Sequence, residues 1–380
     1  MSAAPSIVES ESDYGNWLRQ RLPVVAKDWR ERHERMQKNA FTFLRGSFFR
    51  WAERWPVLCD ELAGAPVVFG VGDLHVDNFG TWRDGDGRLA WGVNDFDEAT
   101  VLPYTNDLVR LCTSAILAID QTSLQLSARA VCEAVLEGFE YSLEKGGAPF
   151  VVSHAHPWLH QLAVVELDEE REFWDELGQL SSVTIEDSSV RKLLVTSLPG
   201  RKPKYRIVHR QGGVGSLGRL RYTAITEWQG APVAREAKSL TISAWHWRST
   251  YWSGSAPADA ASRSTATSML NDALLHRCVR AHDPSFRVHP GWLIRRLAPD
   301  SRRIELKTLA RRREAKELLY AMGCEAANVH LGTRAQRSVL MRDLRRRRGE
   351  WLQKAVERMG ESVVKDFGDW RKRSPQSPGG

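Results

Sequence analysis

Two short segments concentrate the side chains that could perform chemistry, GDLHVDNFG at 72–80 and GVNDFDEA at 92–99. Their candidates for a phosphoryl-transfer site are Asp73, Asn78, Asp95 and Asp97. Such a site needs one carboxylate to orient an acceptor hydroxyl. It also needs an asparagine and a second aspartate to hold the metal ions that bridge the phosphates of ATP. The residue types and their spacing therefore predict phosphoryl transfer.

Each segment follows a stretch with the pattern of a β-strand. The apolar run APVVFGV at 65–71 leads into the first segment. RLAWGV at 88–93 leads into the second, directly after the turn sequence DGDG at 84–87. Apolar runs bounded by glycine-rich turns are typical of strands joined in hairpins. We therefore expect two loops about one hairpin apart, each presenting oxygen ligands at the end of a strand.

These motifs resemble known sequences. GDLHVDNFG resembles the catalytic loop, roughly HGDLHxxN, of the aminoglycoside and choline kinase branch of the protein-kinase-like superfamily, and NDFDE at 94–98 resembles its metal-binding IDFDD. The similarity is closer to the bacterial family known as domain of unknown function 2252. That family shares FLRG (43–46 here), both loop motifs, a glycine-rich loop and a basic segment like WLIRRL at 292–297. The resemblance extends over residues 36–333.

The resemblance implies ATP and Mg²⁺ as cofactors and assigns a role to each loop residue. Asp73 would accept or orient the proton of the acceptor hydroxyl, and His75 would orient the loop by hydrogen bonding. Asn78 and Asp95 would bind magnesium, and Asp97 would either support Asp95 or bind the second ion. A purely structural histidine at position 75 is the simpler alternative.

A glycine-rich segment later in the chain has the spacing GxGxxG. Its residues are Gly213, Gly215, Ser216 and Gly218, and Lys238 follows 20 positions after the last glycine. A dinucleotide-binding motif would require a helix directly after the glycines, but the next run, RLRYTAITEW, is β-branched and aromatic and predicts a strand. That context favours a kinase-type loop over the phosphates of ATP, with the lysine on the third strand. An ordinary glycine-rich hairpin is the alternative.

The order of these motifs is reversed relative to an ordinary kinase, because the catalytic and metal loops precede the glycine-rich loop. Moving residues 1–190 behind residue 333 restores the usual order. We therefore predict an α+β, two-lobed, protein-kinase-like fold with circularly permuted order. Lys238 and Asp95 should then face each other across one cleft, with room for a nucleotide triphosphate between them. Two unrelated half-motifs in one chain are the alternative.

The predicted organisation has five parts. They are a disordered N-terminus at 1–15, a first part of the helical catalytic lobe at 16–199, a β-rich nucleotide-binding lobe at 200–308, further catalytic-lobe helices at 309–370 and a disordered tail at 371–380. In the β-rich lobe we expect three strands around the glycine-rich loop, a helix at 258–281, and two strands from FRVHPGWLIRRL and RRIELKTL. Beyond it, hydrophobic periodicity predicts a helix at 311–330.

Three positions depart from the kinase pattern or lack an assigned role. Val71 replaces the histidine that begins the phosphotransferase motif. Lys238 has no evident glutamate partner, because the segment 258–281 contains none and Glu236 is only two residues away on the same strand. Arg295 matches a basic position of the family, and near a hinge it would serve the nucleotide or the interface between the lobes.

Composition limits the other possibilities. The chain has 380 residues, a net charge of +7 and five scattered cysteines without a CxxC motif, which supports neither a zinc site nor a disulfide framework. No apolar run reaches the roughly 18 residues of a membrane span, and the N-terminus lacks the pattern of a secretory signal. We therefore expect a cytoplasmic protein. The basic runs at 310–316 and 342–350 are typical of solvated helix faces or of contact with a phosphate-rich partner.

The function that these features predict is ATP- and Mg²⁺-dependent phosphate transfer to a hydroxyl of a small molecule or a protein. Two alternatives remain open at this point. One is adenylyl transfer by the same site with ATP bound in the reverse orientation. The other is a nucleotide-binding pseudoenzyme or a basic protein associated with nucleic acid.

Overall fold

The chain forms a mixed α+β fold in which helices surround three antiparallel sheets. The computed structural model describes residues 5–152, 156–164, 167–247, 273, 277–309, 311–333, 336–347 and 349–372. Their α-helices are α1 (Ile7–Arg19), α2 (Ala26–Arg35), α3 (Ala40–Gly46), α4 (Phe48–Leu58), α5 (Tyr104–Ile119), α6 (Ala128–Lys145), α7 (Pro157–Ala163), α8 (Leu167–Gln179), α9 (Ser188–Ser197), α10 (Arg312–His330), α11 (Arg337–Arg346) and α12 (Trp351–Lys372). No described helix combines the length and the apolar character needed to cross a bilayer.

The strands divide into one large and two small sheets. They are β1 (Val67–Gly70), β2 (Phe79–Arg83), β3 (Leu89–Val93), β4 (Thr100–Pro103), β5 (Phe150–Val151), β6 (Tyr205–His209), β7 (Arg221–Trp228), β8 (Ala231–Ser239), β9 (Arg287–His289) and β10 (Trp292–Leu297). The large sheet has the order β6-β7-β8-β10-β9, and the small sheets are β1-β4 and β2-β3-β5. β8 is therefore the central strand of the large sheet.

The large sheet carries the glycine-rich loop between its first two strands. β6 and β7 pair as an antiparallel hairpin, and β7 continues into β8 through a tight turn at Gln229 and Gly230, both with positive φ. Lys238 lies near the end of β8, opposite Arg221 of β7 and Leu293 of β10. Because side chains alternate along a strand, Glu236 and Lys238 project from the same face of the sheet.

One helix packs on each face of this sheet, α9 on the face opposite Glu236 and Lys238 and α8 on the same face as these two residues. Apolar side chains of α9 pack against strand residues in a core cluster that includes Val190, Leu194, Ile207, Ala237 and Ile294. α8 contributes a second cluster around Leu177. The sheet therefore takes part of its core from residues N-terminal to position 200, where sequence analysis places the start of the nucleotide-binding lobe.

The prediction of a disordered segment at 1–15 is wrong for the helical residues from Ile7 onward. α1 begins at Ile7 with a capping box, in which the Ser6 hydroxyl accepts from the Glu9 N–H and the Glu9 carboxylate accepts from the Ser6 N–H. Ile7, Tyr14 and Leu18 are buried in the main core. The acidic composition of this segment concealed an amphipathic helix whose apolar side is covered by the rest of the chain.

Of the helices and strands predicted after residue 257, some are confirmed and one is wrong. The helix expected at 311–330 is confirmed as α10, and FRVHPGWLIRRL forms β9 and β10. RRIELKTL was expected to be a strand, but it forms a single β-bridge from Arg303 to Gly80 and a 3-10 turn at Leu306–Thr308. Most of the helix predicted at 258–281 lies outside the described residues, as does the tail at 373–380.

α6 and α10 pack at short range because each presents a glycine to the backbone of the other. A Cβ at Gly138 would overlap the carbonyl oxygen of Tyr320, and a Cβ at Gly323 would overlap that of Val135. The close approach of these two helices brings the end of α10 to the buried side of α5.

Gly138→Ala is expected to destabilise the fold by roughly 1–3 kcal/mol, because the added methyl group must push the two helices apart. Gly368→Ala in α12 is the matched control, since a Cβ at that position meets no atom within 4 Å. This control should be neutral or stabilising by up to about 1 kcal/mol through helix propensity. Chemical denaturation followed by circular dichroism compares the two variants, and equal stabilities would contradict the close-packing account.

Candidate functional site

Two connected cavities lie between the large sheet and the helical part of the molecule. The inner cavity has a volume of about 30 Å³. The catalytic and metal loops line it with Asp73, His75, Asn78, Asp95 and Asp97. The glycine-rich loop lines it from the other side with Gly213, Gly215 and Ser216. The fold thus brings eight predicted site residues from distant parts of the chain around one small space.

The outer cavity is far larger, with a volume of about 760 Å³, and is open to solvent. It shares Asp95, Gly213, Arg45 and Arg303 with the inner cavity. Its wall is rich in guanidinium groups from α2, from the sheet and from the segment after β10, and it includes Arg295. An anionic ligand therefore finds a positive electrostatic environment there.

The catalytic loop is held by the polar face of α5. The Asp107 carboxylate accepts hydrogen bonds from the backbone N–H groups of Val71 at 2.7 Å and Gly72 at 2.9 Å. His330 at the end of α10 lies 2.9 Å from the same carboxylate, and both side chains are fully buried. Ser114, two turns further along α5, accepts from the N–H of Val76. These contacts fix the backbone on both sides of Asp73.

Asp73 itself is bound by a second residue of α5. The Arg110 guanidinium donates to Asp73 Oδ1 from Nε at 2.7 Å and to the Leu44 carbonyl at 2.8 Å. Burial raises the pKa of Asp73 to about 7, although the charge of Arg110 opposes this increase. A carboxyl group that titrates near neutral pH suits a general base.

His75 has the surroundings of a structural residue. Its Nδ1 accepts a hydrogen bond from the Asp77 N–H at 3.2 Å, and the Asn78 side chain accepts from the His75 N–H at 2.6 Å. Burial, with the nearby positive charges of Arg45 and Arg110, lowers the pKa of His75 well below its usual value. The neutral ring therefore shapes the turn that precedes Asn78.

The metal loop meets the sheet through Lys238. The Lys238 ammonium lies 3.2 Å from Asp95 Oδ1 and is also paired with Asp97. Burial alone would raise the pKa of Asp95, but Lys238 together with Arg295 lowers it, so this carboxylate stays ionised. Burial and the neighbouring charge of Asp95 raise the pKa of Asp97.

This ion pair corrects one detail of the predicted cleft. Lys238 and Asp95 lie together, but they are in direct contact and leave no gap for a triphosphate between them. Any ligand that reached this pair would have to approach it from the outer cavity or separate the two side chains. In kinases the partner of this lysine is a glutamate on a helix. Among the described residues, the partners of Lys238 are instead the carboxylates of Asp95 and Asp97 in the metal loop.

The donor set around the ion pair suits a hard divalent cation. Asp95 and Asp97 offer carboxylate oxygens and Asn78 an amide oxygen, the ligand types that Mg²⁺ prefers. The described residues contain no ready-made group of three or more His, Cys, Asp or Glu ligands. A metal would therefore be held by few protein ligands together with phosphate oxygens, as is usual for magnesium.

The FLRG segment (43–46) contacts both the catalytic loop and the glycine-rich loop. Arg45 forms an ion pair with Asp77 at 2.6 Å. The Arg45 carbonyl lies so close to Gly215 that a Cβ there would be 2.8 Å from it. The same Cβ would lie 3.6 Å from Asp73 Oδ2. Glycine at position 215 therefore lets the loop lie directly over the Asp73 carboxylate.

Arg295 and Glu236 belong to a buried charge cluster on the sheet. Glu236 is fully buried and is paired with Arg221 at 2.8 Å, Arg295 at 2.8 Å and Arg210 at 3.4 Å. Burial would raise the pKa of Glu236, but the three guanidinium groups hold it well below its usual range. Arg295 lines the outer cavity with part of its charge already neutralised.

Gly218 is not brought to either cavity. It has a φ of +96°, and a Cβ there would lie 2.6 Å from the Trp29 ring. Its carbonyl accepts from the Val25 N–H at 2.8 Å. The third glycine of the GxGxxG spacing therefore allows the chain to pass α2, whereas the first two face the site.

Several residues of the site escaped the sequence analysis. They are Arg45, Glu98, Arg110, Arg219 and Arg303. Arg219 pairs with Glu98 of the metal loop, and the Glu98 carboxylate also accepts from the Ala244 N–H at 2.6 Å. One signal was available for Arg110, since Asp107, Arg110 and Ser114 have helical spacing on the face of α5 that meets the loop. For Arg303 the sequence offers no comparable signal.

Part of the chain matches a known protein family. Residues 24–171 match the family model described as an uncharacterized protein conserved in bacteria, DUF2252. This confirms the family resemblance for the part of the chain that holds the FLRG segment and the catalytic and metal loops. No curated protein and no solved structure shows a significant match. The family description states no activity, so function has to be argued from the site.

The raised pKa of Asp73 predicts a pH-dependent term in stability. The unfolded carboxyl titrates near pH 3.9, so this term is fully present below about pH 4 and is lost as the pH rises through about 7. Each pKa unit of difference corresponds to about 1.4 kcal/mol. Between about pH 5 and 8, wild type should lose melting temperature relative to Asp73→Asn. For the exposed control Asp369→Asn, the difference in melting temperature from wild type should stay constant over this pH range. If the melting temperatures of all three proteins changed in parallel with pH, the prediction would be contradicted.

Proposed function

We propose that this protein is a phosphotransferase that uses ATP and Mg²⁺ to phosphorylate a hydroxyl group, on a permuted kinase-like framework. One observation carries the proposal: Lys238 of the sheet contacts Asp95 and Asp97 of the metal loop, although 143 positions separate Lys238 from Asp95. The glycine-rich loop covers Asp73 in the same place. These are the groups that phosphoryl transfer of the kinase type requires.

The arrangement of the sheet supports the kinase-like interpretation. The glycine-rich loop joins the first two strands of the sheet, and the lysine lies on the third, as in kinases. The contact between the segment after α10 and β1 also supports it. The Thr333 hydroxyl, just after α10, accepts from the Phe69 N–H at 2.8 Å on the strand that leads into the catalytic loop. In the restored order α10 precedes the catalytic loop, and this contact is consistent with that order.

The proposed mechanism assigns the base to Asp73. Its carboxylate takes the proton of the acceptor hydroxyl while that oxygen attacks the γ-phosphorus of ATP, and the bond from the γ-phosphorus to the leaving ADP oxygen breaks. Arg110 anchors Asp73 Oδ1, which leaves Oδ2 toward the glycine-rich loop for the acceptor. Deprotonation near pH 7 makes the carboxylate available at physiological pH.

The outer cavity is the proposed nucleotide site. Its volume of about 760 Å³ lies within the range of ordinary ligand sites. It touches the glycine-rich loop at Gly213 and the metal loop at Asp95, so a triphosphate there would point toward the inner cavity. Magnesium, if bound, would be held by Asp95 and Asn78 and would neutralise phosphate charge. The ammonium of Lys238 would then contact phosphate oxygens beside its carboxylate partners.

Radiolabelled ATP tests the proposal directly. Transfer of label from γ-labelled ATP to an acceptor or to the protein, with none from α-labelled ATP, is the expected result. Label from the α position alone would replace the proposal by adenylyl transfer. No transfer with either label, despite binding of ATP with magnesium, would favour a nucleotide-binding pseudoenzyme.

Two alanine variants test the assigned roles. Asp73→Ala should lower turnover by about 10²–10⁴-fold, since a positioned base is lost, with ATP affinity nearly intact because the nucleotide supplies no partner to this carboxylate. Asp95→Ala should lower both affinity and rate, because it removes an oxygen ligand beside the phosphates. ATP titration by calorimetry and ATP hydrolysis without an acceptor measure both effects. Equal loss of nucleotide affinity in the two variants would show that the roles of the loops are wrong.

A further inference from the structure

Two arginines that the proposed reaction does not yet use meet where the cavities join. Arg45 lies in the last turn of α3. Arg303 lies after β10 and forms the β-bridge to Gly80. Both line the inner and the outer cavity. A Cβ at Gly213 would lie 3.3 Å from one Arg303 nitrogen and 3.4 Å from one Arg45 nitrogen. The two guanidinium groups therefore converge on one point beneath the glycine-rich loop.

Their charges are compensated unequally. Arg45 has an ion pair with Asp77. For Arg303, no acceptor among the described residues lies within hydrogen-bonding distance of the guanidinium. Burial and the adjacent charge of Arg45 lower the pKa of Arg303, although the nearby charges of Asp77 and Asp95 oppose this decrease. The other arginines of the sheet differ, since Arg295 and Arg221 share the Glu236 carboxylate.

The spacing suits one small anion. Two nitrogens that lie 3.3 and 3.4 Å from the same point are at most about 6.7 Å apart. A tetrahedral oxyanion that accepts one hydrogen bond of about 2.9 Å from each guanidinium spans such a separation. Planar guanidinium groups are the side chains best matched to phosphate oxygens. The absence of a side chain at Gly213 keeps the space between them open.

We propose that Arg45 and Arg303 form a binding site for a phosphate-type oxyanion at the junction of the two cavities, separate from Lys238. The oxyanion is either the terminal phosphate of the nucleotide or a phosphate group already present on the acceptor. Its role in transfer rests on the proposed function, but anion binding at this site does not.

Arg303→Gln tests the site without breaking a described ion pair. Isothermal titration calorimetry with inorganic phosphate should show affinity about 10- to 100-fold weaker than wild type, the loss expected for one or more charge-assisted hydrogen bonds. Arg302→Gln is the matched control, because the adjacent Arg302 guanidinium is bound outside both cavities by Glu169 at 2.6 Å and the Val164 carbonyl at 3.0 Å. This control should bind phosphate like wild type.

Stability gives an independent readout. Arg303→Gln should leave the melting temperature of the free protein unchanged or raise it, because the loss of burial cost and of repulsion from Arg45 offsets the lost attraction to Asp77 and Asp95. Wild-type affinity for phosphate in Arg303→Gln, an equal loss in Arg302→Gln, or no phosphate binding by the wild-type protein at about 10 mM would each overturn the proposal.

Titrations with ATP and ADP then identify the source of the oxyanion. If the site holds the terminal phosphate of the nucleotide, Arg303→Gln should weaken ATP binding more than ADP binding. If it holds a phosphate of the acceptor, both nucleotides should bind the variant as they bind wild type, and inorganic phosphate should still bind the ATP-loaded protein. The phosphate titrations need no turnover, so a failure of the proposed phosphotransferase activity would be recognised separately.

Discussion

The buried ion pair of Lys238 with Asp95 and Asp97 is the constraint on which the site depends. The side chain of Lys238 is only 4% exposed, and a buried ammonium group is unfavourable unless opposite charges neutralise it. Those charges come from the loop between β3 and β4, far away in the chain, so the sheet and the metal loop have to meet at this point. The pair of Glu98 with Arg219 makes a second connection of the same kind. Together they fix how the glycine-rich loop lies over the catalytic loop.

α5 supplies the second half of this constraint from the opposite side. Fourteen of its 16 residues are buried, including the polar ones that face the catalytic loop. Buried backbone N–H groups require acceptors, and Asp107 satisfies those of Val71 and Gly72 just before Asp73. Arg110 then holds the Asp73 carboxylate in place. Because these contacts come from one rigid helix, the Asp73 carboxylate is positioned before any ligand binds, which would reduce the ordering that the proposed reaction requires.

Arginines serve opposite purposes within the same cleft. Around Glu236, three guanidinium groups neutralise one buried carboxylate and tie adjacent strands together. At Arg303 the guanidinium instead points into a shared cavity, beside another positive charge. The net positive charge of the chain is thus not only a property of solvated helix faces. Part of it is collected in a concave site, where low local dielectric strengthens its attraction for phosphate. Arg347 of the basic run at 342–350, by contrast, pairs with Asp343 and stacks on Trp351.

Local sequence was sufficient for the features that depend on neighbours in the chain. Strand patterns, turn glycines and the two acidic motifs predicted the loops that carry Asp73 and Asp95, and helical periodicity predicted α10. Other features required long-range packing. The acidic N-terminal segment forms a buried helix, and Gly218 lies against Trp29 and not in the site. The Arg303 guanidinium reaches the cavities from a segment that was expected to be a strand. All three features depend on which surfaces of the folded chain meet. A side chain has its type from the sequence, but its charge partner, its burial and hence its pKa are set by residues that only folding brings near it. For that reason the motifs predicted which loops carry Asp73 and Asp95, while the positions of Arg110 and Arg303 beside them are visible only in the folded structure.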